Sequence, residues 1–214
     1  MVKALVFDFD GVLVMSEHAR FRVLQTMAMK HGFEIKDEFF KKIVGRTTKD
    51  FFNEYFPSTE PRTLEKIIAD YTAEYKDKII DHTTPIAFTN DFIRNYTGEK
   101  VLAVTSGSTT IIIELLLSHL GLRNKISAVV GQEHVTKHKP HPEAYLYTSE
   151  QLNISADECL VFEDSIAGAQ SALDAGMQVY AILNGLNSKD DFNSLKISGY
   201  IENYDDLVAA TSVL

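Results

Sequence analysis

Two aspartates one residue apart, Asp8 and Asp10, lie at the end of an apolar run near the start of the chain and are followed by Gly11. On an extended chain, residues i and i+2 point to the same side, so the two carboxylates would lie close enough to repel each other. Packing alone gives no reason for such a pair in the stretch VFDFDGVLV. We therefore interpret the pair first as catalytic or metal-binding.

Other side chains capable of chemistry follow later apolar runs in the same way. Ser106 ends the run KVLAVTS and Gly107 follows it, Glu163 and Asp164 follow CLVF, and Lys139 lies in the proline-bracketed stretch KHKPHPE. Taken singly, each has a structural explanation as a helix cap, a turn or a solvated surface. Chemistry in parallel α/β sheets gathers beyond the carboxyl ends of the strands, so together these residues predict one shared site.

The charges at this predicted site favour a divalent cation. The acids Asp8, Asp10, Glu163 and Asp164 would face a single lysine, Lys139, which leaves a large excess of negative charge. Oxygen ligands without histidine or cysteine are typical of Mg²⁺, which binds through one or two carboxylates together with phosphate oxygens. We expect Asp8 and Asp164 to be side-chain ligands of Mg²⁺. Asp10 and Glu163 are further candidate metal residues of the same acidic set, with Glu163 either a ligand or directly behind the ligands.

A phosphate dianion could enter a site neutralised in this way. Ser106, Lys139 and the backbone at Gly11 and Gly107 are the candidate groups for binding its oxygens. Asp8 is the candidate nucleophile, which would form an aspartyl-phosphate. The neighbouring Asp10 is then the candidate acid that protonates the leaving alcohol.

The elements needed to position these residues are visible in the hydrophobic pattern. Short apolar runs alternate with segments of helical periodicity, which predicts a parallel sheet covered by helices, an α/β fold. The predicted strands are 3–9, 100–106, 126–132, 159–164 and 178–183. Gly121 and Pro142 are expected near the end of one crossover helix and the start of another.

The interval that follows the first strand differs from the rest of the chain. It contains helical stripes and many aromatic residues but no convincing strand, which predicts an all-α insert with a core of its own. We therefore divide the chain into a catalytic core of residues 1–14 and 82–214 and a helical insert of residues 15–81.

Composition limits the classes of partner and the compartment. The formal net charge is −9 and no run of lysine or arginine exceeds two residues, so neither nucleic acid nor a membrane is an expected partner. Cys159 is the single cysteine, and the first residues lack the apolar region of a signal peptide. The apolar stretches are too short to cross a bilayer. We expect a cytoplasmic monomer or weak homodimer.

Four motifs together resemble those of the haloacid dehalogenase superfamily. They are Asp8-Phe9-Asp10-Gly11, Ser106-Gly107, Lys139-Pro140 and FEDSIAGAQSALDAGM at 162–177. The insert directly after the first strand is similar to the helical cap of the β-phosphoglucomutase and phosphoglycolate phosphatase branch. The resemblance implies a Rossmann-like core, Mg²⁺, an aspartyl-phosphate intermediate and a cap that closes over the substrate.

Individual positions refine this resemblance. The acid at Asp10 resembles the phosphatase and phosphomutase members of the superfamily. Dehalogenases usually lack an acid at this position, and transporting ATPases have threonine there. Mutases of the branch tend to carry a histidine on the first cap helix, and the matching position here is Arg20, with His18 two residues away. The phosphatase interpretation is therefore favoured over the mutase. Met15 replaces an acid that many relatives carry where the cap begins, which affects the hinge and not the chemistry of Asp8.

The loop Gly45–Asp50 matches the position of a substrate-specificity loop of the family, so Arg46 or Lys49 is a candidate contact to a second anionic group of the substrate, with a solvated loop cation as the alternative. We expect a Mg²⁺-dependent phosphatase of a small phosphorylated metabolite, such as a sugar or polyol phosphate. A β-phosphoglucomutase-type mutase is the nearest alternative. A receiver-like signalling module is a more distant one, because receivers carry the phosphorylated aspartate on the third strand in about half the length.

Overall fold

A computed structural model describes residues 1–43 and 48–212 of the chain. The chain divides into two compact units, one formed by Met1–Met15 with Pro85–Leu214 and the other by Ser16–Thr84. The division into an independent core and cap at 15–81 stays a prediction. Among the described residues, no helix combines the length and the apolar character that crossing a bilayer requires.

The first unit is built on a six-stranded sheet. Its strands are β1 (Ala4–Phe7), β4 (Val101–Thr105), β5 (Ala128–Val130), β6 (Cys159–Glu163), β7 (Gln178–Ile182) and β8 (Gly199–Ile201), with the short strands β2 (Val14–Met15) and β3 (Thr84–Pro85) forming a separate pair. The order is β5-β4-β1-β6-β7-β8, and neighbouring strands are parallel. The predicted α/β parallel sheet is thereby confirmed. Strand β8 was not predicted, because only three residues of it pair and one is glycine.

Helices connect these strands and cover the sheet. They are α5 (Ala87–Asn95), α6 (Thr110–His119), α7 (Glu143–Leu152), α8 (Ile166–Asp174) and α9 (Tyr204–Ser212). Single 3₁₀ turns occur at Arg123–Lys125, Gln132–His134, Ala156–Glu158 and Lys189–Phe192. Gly121, with φ of +69°, lies just past the end of α6, and Pro142 lies at the start of α7, as the sequence predicts.

Strand β1 lies at the centre of this sheet and has no exposed surface along its length. It pairs with β4 on one side and with β6 on the other, so that Val6 is in register with Ala103 and Val161. Parallel strands in register end at the same edge of the sheet. The residues that follow β1, β4 and β6 are therefore neighbours in space, although about 100 residues of sequence separate the first from the second.

The second unit is helical. It contains α1 (Glu17–Lys30), a 3₁₀ turn at Asp37–Phe39, α2 (Phe40–Ile43), α3 (Thr48–Tyr55) and α4 (Pro61–His82). Its centre is aromatic: Phe51 and Phe52 of α3 are fully buried, and Phe33 and Phe39 contact them edge to face. Edge-to-face contacts add about 0.5–1.5 kcal/mol per pair beyond the burial of area. The unit thus has the aromatic core that the sequence predicts.

The first turn of α5 holds the loop that follows β1. The buried hydroxyl of Thr89 donates to the carbonyl of Val12 at 2.6 Å, and the buried amide of Asn90 donates to the carbonyl of Leu13 at 2.7 Å. Buried carbonyl groups need such donors, because water does not reach them. The loop that begins at Asp8 is therefore fixed at its far end by side chains about 77 residues later in the chain.

The Thr89→Val substitution tests this attachment, since valine keeps the shape of threonine and lacks the hydroxyl. We expect the free energy of unfolding to fall by about 1–2 kcal/mol in urea denaturation, because the carbonyl of Val12 stays buried without its donor. The control is Ser212→Ala, which removes an exposed hydroxyl that bonds within α9 and should change stability by less than about 0.5 kcal/mol. Equal effects of the two substitutions would contradict the attachment.

Candidate active site

Asp8 is the first residue after β1. Its backbone N–H donates to the carbonyl of Phe162 at 2.9 Å, so the neighbouring strand β6 fixes the position from which the side chain projects. The residue is 5% exposed. A tight turn follows at once, in which the N–H of Leu13 donates to the carbonyl of Phe9. The chain therefore leaves the sheet with the carboxylate of Asp8 at the strand's carboxyl end.

Lys139 joins two of the predicted acids. Its ammonium donates to Asp8 Oδ1 and to Glu163 Oε1, at 2.6 Å in both cases. The carbonyl of Thr105 lies 3.4 Å from the same ammonium, and the ring of Tyr145 lies 5.0 Å away. The lysine is thus surrounded by negative and π-electron density contributed by the ends of three strands and by α7.

Glu163 is fully buried and hydrogen-bonded at both oxygens. Oε1 accepts from Lys139 and from the hydroxyl of Tyr145 at 3.0 Å. Oε2 accepts from the N–H and the hydroxyl of Ser165, both at 3.0 Å. A Cβ at Gly168 would lie 1.6 Å from Oε1, so only glycine leaves room for this carboxylate. Glu163 is therefore better placed to hold Lys139 than to bind a cation itself.

The ionisation of these groups follows from their burial. Desolvation raises the pKa of Asp8 to about 8, with Glu163 and Asp10 adding repulsion and Lys139 opposing the shift. Burial and the charge of Glu163 also hold the pKa of Asp164 well above its usual value. Burial would lower the pKa of Lys139, but Asp8 and Glu163 together hold it well above the usual value. Without a cation, one lysine is thus not enough to keep all of these buried acids ionised at neutral pH.

The acids at this edge of the sheet could hold a metal ion. Carboxylate oxygens of Asp8, Glu163 and Asp164 lie within 4.8 Å of one another. An all-oxygen donor set of this kind fits a hard divalent cation such as Mg²⁺. Asp164 contributes Oδ2 to a hydrogen bond with the side-chain amide of Asn184 at 2.8 Å. The turn at Gly11 leaves space for Asp164, because a Cβ there would lie 1.9 Å from Asp164 Oδ2.

Asp10 has different partners from Asp8. Its Oδ2 accepts from the hydroxyl of Ser106 at 3.1 Å and from that of Ser108 at 2.6 Å. The N–H of Ser108 in turn donates to Ser106 Oγ at 2.9 Å. Asp10 is half-buried and does not belong to the three-acid cluster. The loop after β4 therefore holds the second aspartate of the pair separately from the first.

Most of the predicted site residues lie together at this edge of the sheet. Asp8, Lys139 and Glu163 form one hydrogen-bonded group with Asp164 beside it, and Asp10 and Ser106 form a second. Gly107 follows Ser106 and is exposed, with open space where a Cβ would be. Gly11 directs its carbonyl to the amide of Asn184 at 2.9 Å. Arg46 lies outside the described residues.

Sequence reasoning missed four residues that complete these groups: Ser108, Tyr145, Ser165 and Asn184. Ser108 and Ser165 had a signal, because each lies two residues after a predicted site residue and bonds to it, Ser108 through its backbone N–H and Ser165 through its N–H and hydroxyl. Tyr145 and Asn184 had none, since they reach the site from α7 and from the loop after β7.

Comparison with known proteins supports the motif resemblance. Residues 5–182 match the family described as haloacid dehalogenase-like hydrolase. The chain is 28% identical over 177 residues to the fructose-1-phosphate phosphatase YqaB of Escherichia coli, covering 81% of this chain and 92% of the relative. It is 23% identical over 191 residues to a phosphorylated carbohydrates phosphatase of Thermotoga maritima, covering 87% and 88%.

A solved structure shows the same fold. A predicted phosphoglycolate phosphatase from Haemophilus somnus superimposes with a TM-score of 0.88 at 17% identity, covering 99% of this chain and 98% of the other. The resemblance carried by the four motifs is thus confirmed by a match that spans all of them. The chain belongs to the haloacid dehalogenase-like hydrolase family.

Proposed function

We propose that this protein is a Mg²⁺-dependent phosphatase that hydrolyses a small phosphorylated metabolite, a sugar or polyol phosphate, through an aspartyl-phosphate on Asp8. The observation that carries the proposal is the buried carboxylate of Asp8, bonded to Lys139 and adjacent to Asp164. The hydrolase family and the phosphatases among its relatives support the reaction class.

The cation would be held by Asp8 and Asp164, with Glu163 behind them. When bound, Mg²⁺ supplies the positive charge that lets a phosphate dianion approach carboxylates. Lys139 contributes a permanent positive charge beside Asp8. Its ammonium is positioned by Glu163, whose other contacts with Tyr145 and Ser165 keep the carboxylate from rotating.

Asp8 and Asp10 divide the chemistry. An oxygen of Asp8 forms a bond to phosphorus, the bond from phosphorus to the substrate oxygen breaks, and Asp10 gives its proton to that departing oxygen. Water then attacks phosphorus, Asp10 takes up a proton from it, and the bond to Asp8 breaks to release inorganic phosphate. Serine hydroxyls can both donate and accept, so Ser106 and Ser108 fit either protonation state of Asp10.

The substrate class is proposed from the relatives. The two compared relatives are named as phosphatases of fructose 1-phosphate and of phosphorylated carbohydrates. We therefore propose that the substrate of this protein is a phosphorylated carbohydrate. We propose that the phosphate of the substrate contacts Ser106, Lys139 and the backbone at Gly11 and Gly107. Arg46 is proposed to contact the remainder of the substrate. We further propose a cytoplasmic monomer or weak homodimer that binds neither nucleic acid nor membrane, consistent with the net charge of −9.

The first test is Asp8→Asn, measured as phosphate release from p-nitrophenyl phosphate and from a panel of sugar phosphates. We expect a loss of about 10³-fold or more in kcat, because the amide is a poor nucleophile. The control is Asp190→Asn, at an exposed acid on a 3₁₀ turn, which should retain wild-type activity. Full activity of Asp8→Asn would contradict the nucleophile assignment. Isomerisation of the sugar phosphate by the wild type without net phosphate release would indicate a mutase instead.

The role of Asp10 predicts a dependence on the leaving group. Asp10→Asn should lower kcat/KM for a sugar phosphate by about 10²–10⁴-fold, because an alkoxide needs a proton to depart. The loss in kcat/KM should be much smaller for p-nitrophenyl phosphate, whose leaving phenolate is stable without one. Steady-state assays compare kcat/KM and not kcat, because kcat also includes the attack of water, in which Asp10 acts with both substrates. Equal losses in kcat/KM would show that Asp10 does not protonate the leaving group.

Metal binding should compete with protons. Because the pKa of Asp8 is about 8 without a cation, the carboxyl is protonated below that pH and must lose its proton to become a ligand. We measure the rise in melting temperature in 5 mM Mg²⁺ relative to EDTA-treated protein. This rise should therefore be larger at about pH 8.5 than at about pH 6. An equal or larger rise at the lower pH would contradict Asp8 as a ligand.

A further inference from the structure

The loop that follows β7 contacts the proposed metal site through Asn184. The side-chain nitrogen of Asn184 donates to Asp164 Oδ2 at 2.8 Å and to the carbonyl of Gly11 at 2.9 Å. Its side-chain oxygen accepts from the N–H of Leu186 at 3.0 Å. One amide therefore joins the turn after β1 to the acid after β6.

The orientation of this amide is fixed by its partners. The nitrogen carries two hydrogens and has two acceptors, a carboxylate and a carbonyl. In the reversed orientation, the amide oxygen would face both of these acceptors, and the N–H of Leu186 would lose its acceptor. Asn184 therefore presents donors, and not an acceptor, to Asp164.

Asn187 secures the same loop. Its side-chain nitrogen donates to the backbone carbonyl of Asp164 at 2.6 Å and to that of Ile182 at 2.9 Å. Its oxygen accepts from the N–H of Asn184 at 3.3 Å. Asp164 is thus bound by one loop at its backbone and at its carboxylate, so both its position and the rotation of its carboxylate are determined.

The chemistry of the amide suits a neighbour of a cation site. Asp164 already faces the negative charges of Asp8 and Glu163, so a carboxylate at position 184 would add repulsion. A lysine or arginine there would neutralise Asp164 and compete with the cation for it. A neutral donor orients the carboxylate and leaves its charge available.

We propose that Asn184 is a positioning residue of the metal site, which fixes Asp164 relative to Asp8 by bonding the Asp164 carboxylate and the Gly11 carbonyl at once. The inference depends on the proposed function only in requiring that a divalent cation binds to Asp8 and Asp164. It adds a residue from a loop that none of the four motifs contains.

The test is the Mg²⁺ dissociation constant of the metal-free protein, measured by isothermal titration calorimetry for the wild type and for Asn184→Ala. We expect the constant to rise about 10–100-fold in the variant, the range typical of lost partners to metal ligands. The matched control is Asn193→Ala. Asn193 is exposed, and within the described part of the chain its side chain bonds to Asp190 alone. The Mg²⁺ dissociation constant of this variant should equal that of the wild type.

Two further measurements separate positioning from loop stability. The melting temperature in EDTA reports whether Asn184→Ala is folded, and a purely structural role would lower it without changing Mg²⁺ affinity. Asn184→Ser, which keeps one donor on a shorter side chain, should give an intermediate affinity if the donor matters. The Mg²⁺ concentration that half-activates phosphate release should rise in parallel with the dissociation constant.

The outcomes distinguish this inference from the proposed function. If the wild type binds Mg²⁺ and Asn184→Ala binds it with the same affinity, the positioning role of Asn184 is overturned. The proposed phosphatase function is then unaffected. Failure of the wild type to bind Mg²⁺ overturns both. Weaker binding in Asn184→Ala, with wild-type affinity in Asn193→Ala, supports the positioning role.

Discussion

The ammonium of Lys139, held between Asp8 and Glu163 at 2.6 Å from each, is the interaction on which the site depends. Removing one partner from a buried ion pair leaves an uncompensated charge and costs about 3–5 kcal/mol. The surrounding contacts fix the position of the Glu163 carboxylate that holds the lysine. Tyr145 and Ser165 occupy the remaining acceptor sites of Glu163, and the absence of a side chain at Gly168 lets Glu163 lie where it does. The lysine is thereby fixed beside the proposed nucleophile before any substrate arrives.

The order of strands in the parallel sheet explains how residues far apart in sequence reach this lysine. Strand β1 lies between β4 and β6, so the ends that carry Asp8, Ser106 and Glu163 are adjacent. Lys139 reaches Asp8 across 131 residues of sequence from the segment between β5 and α7. The edge thus combines rigid strand ends, which set the distances between the acids, with loops that supply the lysine and the hydroxyls.

The sequence was sufficient for residues whose placement depends on strand position. Apolar runs locate the strands, and in a parallel sheet every strand's carboxyl end lies at one edge, so Asp8, Ser106 and Asp164 could be predicted to meet. Asn184 and Tyr145 could not be predicted, because their contacts depend on the conformation of a loop and on which face of α7 meets the sheet. Neither property follows from local hydrophobic periodicity. Strand β8 was missed for a local reason, because its three residues include a glycine and lack the aliphatic run that identified β5, a strand of the same length.

The paired aspartates are chemically identical, yet the structure gives them different surroundings. Asp8 is buried beside Glu163 and Asp164, where an ionised carboxylate is costly unless a cation offsets it, and its pKa is raised to about 8. Asp10, two residues later, lies past the end of the strand, and two serine hydroxyls donate to its carboxylate. Environment, not residue type, separates a group suited to attack phosphorus from one suited to carry a proton. The turn at Gly11 and the amide of Asn184 maintain this separation, because they fix the path that the chain takes immediately after Asp10.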